Sequence, residues 1–165
     1  MIRDLLLLEF DEEAKKTRAM LERVPIKADY KPHAKSMALG KLAPHVAELA
    51  GFGYSILTTL ELDFGNYTRT PVPFETAPQM VKAFDEGAVK VRAALQNTPD
   101  EAWTQSWKLS FQGKPIFSGS RFLAYRQMFM NHLVHHRAQL GVYLRLNDTP
   151  LPATYGPSAD DKMGF

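Results

Sequence analysis

Apolar residues recur at steps of three and four in several long stretches of the chain, which is the spacing of one face of an α-helix. These stretches predict helices over residues 3–24, 39–62, 76–96 and 119–146. Pro25 ends the first, because proline disfavours helical geometry in the residue before it. Thr76 and Gln79 have the spacing of a capping box and predict the start of the third. The pattern therefore predicts an all-α fold, a four-helix bundle.

The second predicted helix has a histidine on its apolar face. The inner stripe of this helix consists of Leu42, His45, Leu49, Phe52, Ile56 and Leu60. Pro44 fits comfortably only in the first turn of a helix, since proline lacks the backbone N–H that later turns need. The helix is therefore expected either to begin near Lys41 or to bend at Pro44.

Between the third and last helices the pattern changes from helical to alternating. Thr98-Pro-Asp-Glu101 repeats the capping signature and predicts a short helical turn. Alternating apolar positions over 107–111, followed by Gln112-Gly113, predict a short β-hairpin inserted before the last helix. Pro115 restricts the second strand to a sheet edge. Residues 64–75 are predicted to be a long loop, and the tail after Asn147 is too rich in proline for regular structure.

The composition excludes several classes of site. The chain has 20 Lys and Arg against 18 Asp and Glu, a net charge of +2, so a nucleic-acid or membrane partner is not expected. It has no cysteine, which excludes disulfides, thiolate ligands, iron–sulfur clusters and a cysteine nucleophile. No apolar run predicts a membrane span or a signal peptide, so we expect a cytoplasmic protein. The length of 165 residues predicts a single domain over 1–165.

The last predicted helix contains the histidine-rich segment Asn131-His-Leu-Val-His-His-Arg137. His132 and His136 are four residues apart, so they lie one turn above each other and are able to bind one ion. His132 and His135, three apart, are the competing pair. The predicted core seam of this helix decides between them, and it consists of Phe122, Tyr125, Phe129, His132, His136, Gln139 and Tyr143. His135 falls outside this seam, which favours the four-apart pair.

Together with His45, this pair predicts a metal site of three imidazoles from two helices, with a coordination position left for water or substrate. Glu48, one turn after His45, is expected either to hold an imidazole N–H or to act as a base. The competing interpretation is structural. A histidine in an apolar seam is usually satisfied by one hydrogen bond, and Glu48 is more often an ordinary surface carboxylate. Tyr155 in the tail either covers the metal pocket or only packs there.

The segment Asn131-His-Leu-Val-His-His-Arg-Ala-Gln-Leu-Gly141, with the later Pro150-Leu-Pro-Ala-Thr-Tyr-Gly-Pro-Ser-Ala-Asp-Asp161, resembles the C-terminal signature of the DinB/YfiT-like metalloenzyme family. Tyr30-Lys-Pro-His-Ala-Lys-Ser-Met37, Leu39-Gly40 and His45-Val-Ala-Glu-Leu49 are similar to the segment that leads into the family's second helix. The resemblance covers essentially the whole chain. It implies a bundle that is often a homodimer, and by motif it also places the metal ligands on His45, His132 and His136.

The resemblance implies one divalent ion, with zinc or nickel favoured over iron, manganese or copper, and relatives that transfer low-molecular-weight thiols. We therefore expect a metal-dependent hydrolase or thiol transferase whose ion activates water or a small thiol. The catalytic residues are not specified by the sequence. The alternative is a non-catalytic helical-bundle interaction protein whose metal is structural or vestigial. The first hypothesis predicts a small-molecule substrate, and the second predicts metal-dependent stability without turnover.

Overall fold

A computed structural model describes residues 2–67 and 71–163 of the chain. Within these residues four long helices surround the core: α1, Ile2–Leu21; α2, Leu39–Thr58; α3, Ala77–Asn97; and α4, residues 121–145. The predicted four-helix architecture with a small β insertion before the last helix is confirmed. Residues 68–70, which belong to the loop predicted over 64–75, lie outside the described residues.

The helix α2, which carries His45, begins at the predicted residue but ends earlier than predicted. It begins at Leu39, because the preceding loop supplies acceptors for its first N–H groups: Tyr30 O for Leu39 and Ala28 O for Gly40, each at 2.9 Å. The start predicted for the helix over 39–62 is confirmed, and of the two alternatives for Pro44 the later start near Lys41 is excluded, because the helix continues through Pro44. It ends at Thr58, so Leu60 is not part of the inner stripe and is 64% exposed.

Of the two predicted capping sequences, the one at Thr76 caps a helix and the one at Thr98 does not. The Thr76 side chain accepts a hydrogen bond from Gln79 N, as the capping box predicted, and α3 begins at Ala77. The predicted helical turn is a 3₁₀ helix, Asp100–Thr104. Thr98 does not cap it, because its hydroxyl donates to Ala94 O at the end of α3 instead.

The predicted hairpin is present, and a third strand joins it. Among the described residues the sheet has the order β1 (Glu61–Asp63), β2 (Ser106–Phe111), β3 (Lys114–Ser120), with β1 parallel and β3 antiparallel to β2. Pro115 lies on the edge strand β3, as expected. Trp107 on β2 is fully buried and packs against Phe52 of α2, so the sheet covers the C-terminal half of that helix.

The last helix, α4, changes its geometry along its length. A single α-helical turn, Arg121–Leu123, leads into a π-helix, Ala124–Met130, and then into a regular α-helix, Asn131–Arg145. A π-helix pairs each residue with the one five positions later, so it shifts the phase of the residues before it. Phe122 was therefore wrongly placed in the seam and is 38% exposed, whereas Phe129 and Tyr143 are buried as predicted.

Two small features fix how α4 packs against α2. A Cβ atom at Gly53 would lie 2.6 Å from the Phe129 ring, so only glycine allows this close approach. The Arg121 guanidinium is buried and donates from Nη1 to three carbonyls at the end of α2, those of Ile56, Leu57 and Thr59. These contacts hold the two histidine-bearing helices in a fixed register.

Within residues 2–67 and 71–163, none of the helices combines the length and the apolar character that a membrane span requires.

Candidate metal centre

The three predicted histidines meet between α2 and α4. His45, His132 and His136 each offer a ring nitrogen, and these nitrogens all lie within 4.8 Å of one another. The ring centroids are 5.2 Å apart for His45 and His132, and 4.6 Å apart for His136 and each of the other two. Among residues 2–67 and 71–163, this is the one group of three or more His, Asp or Glu side chains with such a geometry. The competing His135 is exposed and is not part of it.

Hydrogen bonds at the far side of two of the rings determine which nitrogen points inward. His132 Nδ1 lies 3.2 Å from the carbonyl oxygen of Met128, and His136 Nδ1 lies 2.7 Å from Oε1 of Gln139. Both partners are acceptors, so each Nδ1 carries the ring hydrogen and donates it. The lone pair of each ring is therefore on Nε2, which is the arrangement that metal-binding histidines use.

Burial keeps these imidazoles neutral. It lowers the pKa of His132 below the usual histidine value, and the neighbouring His136 lowers it further, while the Met128 carbonyl opposes the shift. Burial also lowers the pKa of His136, with His135 acting in the same direction and the Gln139 bond opposing. A metal competes with protons for the same lone pairs, so neutral rings at neutral pH favour metal binding.

The spacing of the His45 and His132 nitrogens fits a divalent ion. Nε2 of His45 lies 3.4 Å from Nε2 of His132. Two imidazoles on a tetrahedral zinc ion, each at about 2.0–2.1 Å, have nitrogens about 3.3–3.4 Å apart. Two nitrogen lone pairs at this distance repel each other unless a proton or a cation lies between them. The donor set, three imidazoles, is also one that zinc, nickel, copper and iron all accept.

The structure gives Glu48 a partner in the loop after β1. Its Oε1 accepts a hydrogen bond from the backbone N–H of Val72 at 2.8 Å. Glu48 lies one turn after His45 on α2, so this bond brings the loop alongside the metal centre. The predicted role of Glu48 as a base or as a partner of an imidazole stays a prediction.

The Tyr155 hydroxyl joins a buried ion pair between α4 and α1, while the tyrosine itself is 66% exposed. Its hydroxyl donates to Glu13 Oε2 at 2.8 Å and accepts from Arg137 Nη2 at 2.6 Å, and Arg137 also pairs with Glu13 at 2.5 Å. Arg137 follows His136 directly in α4, so the network ties that part of α4 to α1 and to the tail. The structure gives Tyr155 hydrogen bonds to Glu13 and Arg137, and its expected role as a cover of the metal pocket stays a prediction.

Comparison with known proteins places the chain in a family. The model of the DinB family matches residues 1–163. The chain belongs to the DinB family. Its fold is similar to that of a DinB-like protein from Bacillus cereus ATCC 10987, with a TM-score of 0.66 and 22% identity over 90% of this chain and 95% of that one. A DinB-like protein from Bacillus subtilis gives a TM-score of 0.65 and 17% identity over 87% and 92%. A search of the curated proteins finds no match.

The fold brings α2 and α4, which are distant in the sequence, side by side, and the three histidines predicted from the sequence are the ones that meet there. The hydrogen-bonding partners of the rings were not predicted. Gln139 was placed in the core seam, whereas it is exposed and bonds His136. Its position three residues after His136 is a spacing at which helical side chains meet, and that signal was available. The contact of His132 with the Met128 carbonyl has no such sequence signal, because every residue has a backbone carbonyl.

Proposed function

We propose that this DinB-family protein is a metal-dependent enzyme that acts on a small molecule. His45, His132 and His136 would hold one divalent ion, with zinc or nickel favoured. The observation that supports this is the convergence of three ring nitrogens, within 4.8 Å, from two helices that are distant in the sequence. No carboxylate joins that group among the described residues, which leaves part of the coordination sphere for water or substrate.

A divalent ion in such a site supplies Lewis-acid chemistry, which makes water or a small thiol nucleophilic near neutral pH. The remaining work belongs to the side chains of this chain. His132 and His136 keep their Nε2 lone pairs directed inward because their Nδ1 hydrogens are engaged. Glu48, one turn after His45, accepts a hydrogen bond from the backbone N–H of Val72 and so anchors the loop over 71–75 to α2. The chain has no cysteine, so a thiol reaction would use an exogenous thiol.

A hydrolase or a thiol S-transferase activity fits this arrangement: the first uses water as the nucleophile and the second a small thiol that attacks a separate electrophile. A cytoplasmic location, a homodimer and a single domain over residues 1–165 belong to the same proposal. The alternative is a non-catalytic interaction protein whose metal site is structural or vestigial. It makes a different prediction, namely that removal of the metal lowers thermal stability and that no substrate is turned over.

The test is a screen of protein loaded with Zn²⁺ or Ni²⁺ against ester and amide substrates, and against small thiols paired with electrophiles. The matched variants are His132→Ala, which removes a proposed ligand, and His135→Ala, which removes an exposed histidine from the same helix. The proposal expects turnover that His132→Ala abolishes and His135→Ala retains. Turnover that survives in His132→Ala would contradict the proposal, and metal-dependent stability without turnover would favour the interaction protein.

A further inference from the structure

The partner of His136 is a side chain that has two chemically different ends. Gln139 presents its amide oxygen to His136 Nδ1 at 2.7 Å. The side-chain amide also has an NH₂ group, and a half-turn about the last bond of the side chain exchanges the two. Gln139 is exposed on α4, where water competes for both groups. Its orientation is therefore not imposed by burial.

The two orientations of this amide have opposite effects on His136. When the oxygen faces the ring, Nδ1 must carry the hydrogen and Nε2 keeps its lone pair. When the NH₂ group faces the ring, it donates to Nδ1, and the ring hydrogen moves to Nε2. In that second state Nε2 is blocked as a metal ligand. The orientation of the Gln139 amide is thus coupled to the tautomer that leaves Nε2 of His136 free to bind an ion.

His132 shows the contrast. Its Nδ1 donates to the backbone carbonyl of Met128, and a carbonyl is only ever an acceptor. The tautomer of His132 is therefore fixed by the main chain. Of these two rings on α4, His136 is the one whose tautomer depends on a side chain that is able to rotate.

We propose that Gln139 is a positioning residue that selects the metal-binding tautomer of His136. The inference rests on the proposed metal site, and it adds a residue that acts on the metal only through His136. Partners of this kind, one hydrogen bond beyond the ligands, contribute on the order of 10–100-fold to metal affinity. Because the Gln139 bond is exposed, we expect an effect at the lower end, about 10-fold.

Two substitutions separate the tautomer effect from a general effect of mutation. Gln139→Glu keeps an acceptor that has no NH₂ group, so it enforces the same tautomer. Gln139→Met keeps the length of the side chain but removes the acceptor. The matched controls are Gln96→Glu and Gln96→Met, which make the same changes at an exposed position of α3. Both sites are on the surface, so all four variants should fold.

Two measurements are made on each protein: Zn²⁺ affinity by competition with a chromophoric chelator, and the His136 tautomer in the metal-free protein from ¹⁵N–¹H correlation spectra of the ring. We expect the Nδ1–H tautomer in the wild type and in Gln139→Glu, and a mixture of tautomers in Gln139→Met. Zn²⁺ affinity should fall about 10-fold in Gln139→Met, should be equal or higher in Gln139→Glu, and should not change in the Gln96 controls.

The inference is overturned if Gln139→Met binds Zn²⁺ as tightly as the wild type, or if the metal-free wild type has the Nε2–H tautomer at His136. Failure of the proposed function has a different appearance. In that case the wild type itself binds no Zn²⁺, while the ring spectra still report whether Gln139 controls the tautomer.

Discussion

Replacing Arg137 with methionine removes the positive charge that neutralises the buried Glu13 carboxylate. The Arg137 and Glu13 side chains are only 3% and 9% exposed, and their charged atoms lie 2.5 Å apart. The carboxylate would keep the Tyr155 hydroxyl and the Lys16 ammonium, the latter at 3.3 Å. Removing one partner of a buried ion pair typically costs 3–5 kcal/mol, and with these remaining contacts we expect about 3 kcal/mol at pH 7.

The dependence of this loss on pH follows from the carboxyl group of Glu13. Burial alone would raise its pKa, but the Tyr155 hydrogen bond and the Arg137 charge outweigh burial and lower the pKa below 4.5, its usual value. A lowered pKa contributes stability that is present above the unfolded-state pKa and is lost as the pH falls through the folded-state pKa. In Arg137→Met burial prevails, so protonation of Glu13 relieves the variant at acidic pH. The stability difference should therefore shrink between pH 7 and pH 3.

The assay is urea unfolding at pH 7 and at acidic pH for the wild type, Arg137→Met, Glu13→Gln and the double variant. In a parallel thermal unfolding experiment, a loss of about 3 kcal/mol corresponds to a fall in Tm of roughly 6–12 °C for a chain of this size. The double variant should be more stable than the sum of the single losses predicts, because it buries no lone charge. A loss below 1 kcal/mol at pH 7, or an equal loss at pH 3, would refute this reasoning.

Three further changes test how the helices are held. Arg121→Met should lower the free energy of unfolding in urea by on the order of 3 kcal/mol, because three backbone carbonyls at the end of α2 lose a buried donor. An unchanged free energy would show that water replaces the guanidinium. Gly53→Ala should cost about 1–3 kcal/mol because its Cβ would meet the Phe129 ring, and Phe129→Leu should recover part of that loss; if it recovers none, the clash is not the cause. Thr76→Ala should lower the free energy of unfolding by about 1 kcal/mol, because α3 loses its N-cap. Thr98→Ala removes no N-cap, since the Thr98 hydroxyl donates to the Ala94 carbonyl.

The helical architecture was readable from the sequence because its signals are local. Spacings of three and four residues identified the helices, and the Thr76 cap identified the start of α3. The errors arose where distant parts of the chain determine the outcome. The predicted end of α2 was too late, because residues 61–63 pair with β2 as the strand β1 instead of continuing the helix. The π-helix of α4 displaced Phe122 from the seam, and side-chain spacing alone does not reveal such a change of phase.

The candidate site was predictable to the level of its three histidines and no further. Seam positions placed His45, His132 and His136 on the inner faces of their helices, and the structure brings them together. The hydrogen-bonding partners at the site are less accessible to a residue pattern. The Met128 carbonyl at His132 and the Val72 N–H at Glu48 are backbone groups that no pattern locates, whereas the three-residue spacing of Gln139 from His136 does indicate their contact. Substrate selection depends on the walls around these groups, which the periodicity of the helices does not encode.

X-ray absorption spectroscopy of the Zn²⁺-loaded protein tests the central claim most directly, because it counts the imidazoles bound to the ion. We predict three imidazole nitrogens at about 2.0–2.1 Å in the wild type and in His135→Ala, and one fewer in His45→Ala. A spectrum with fewer than three imidazoles in the wild type, or one unchanged in His45→Ala, would contradict a metal centre shared by α2 and α4.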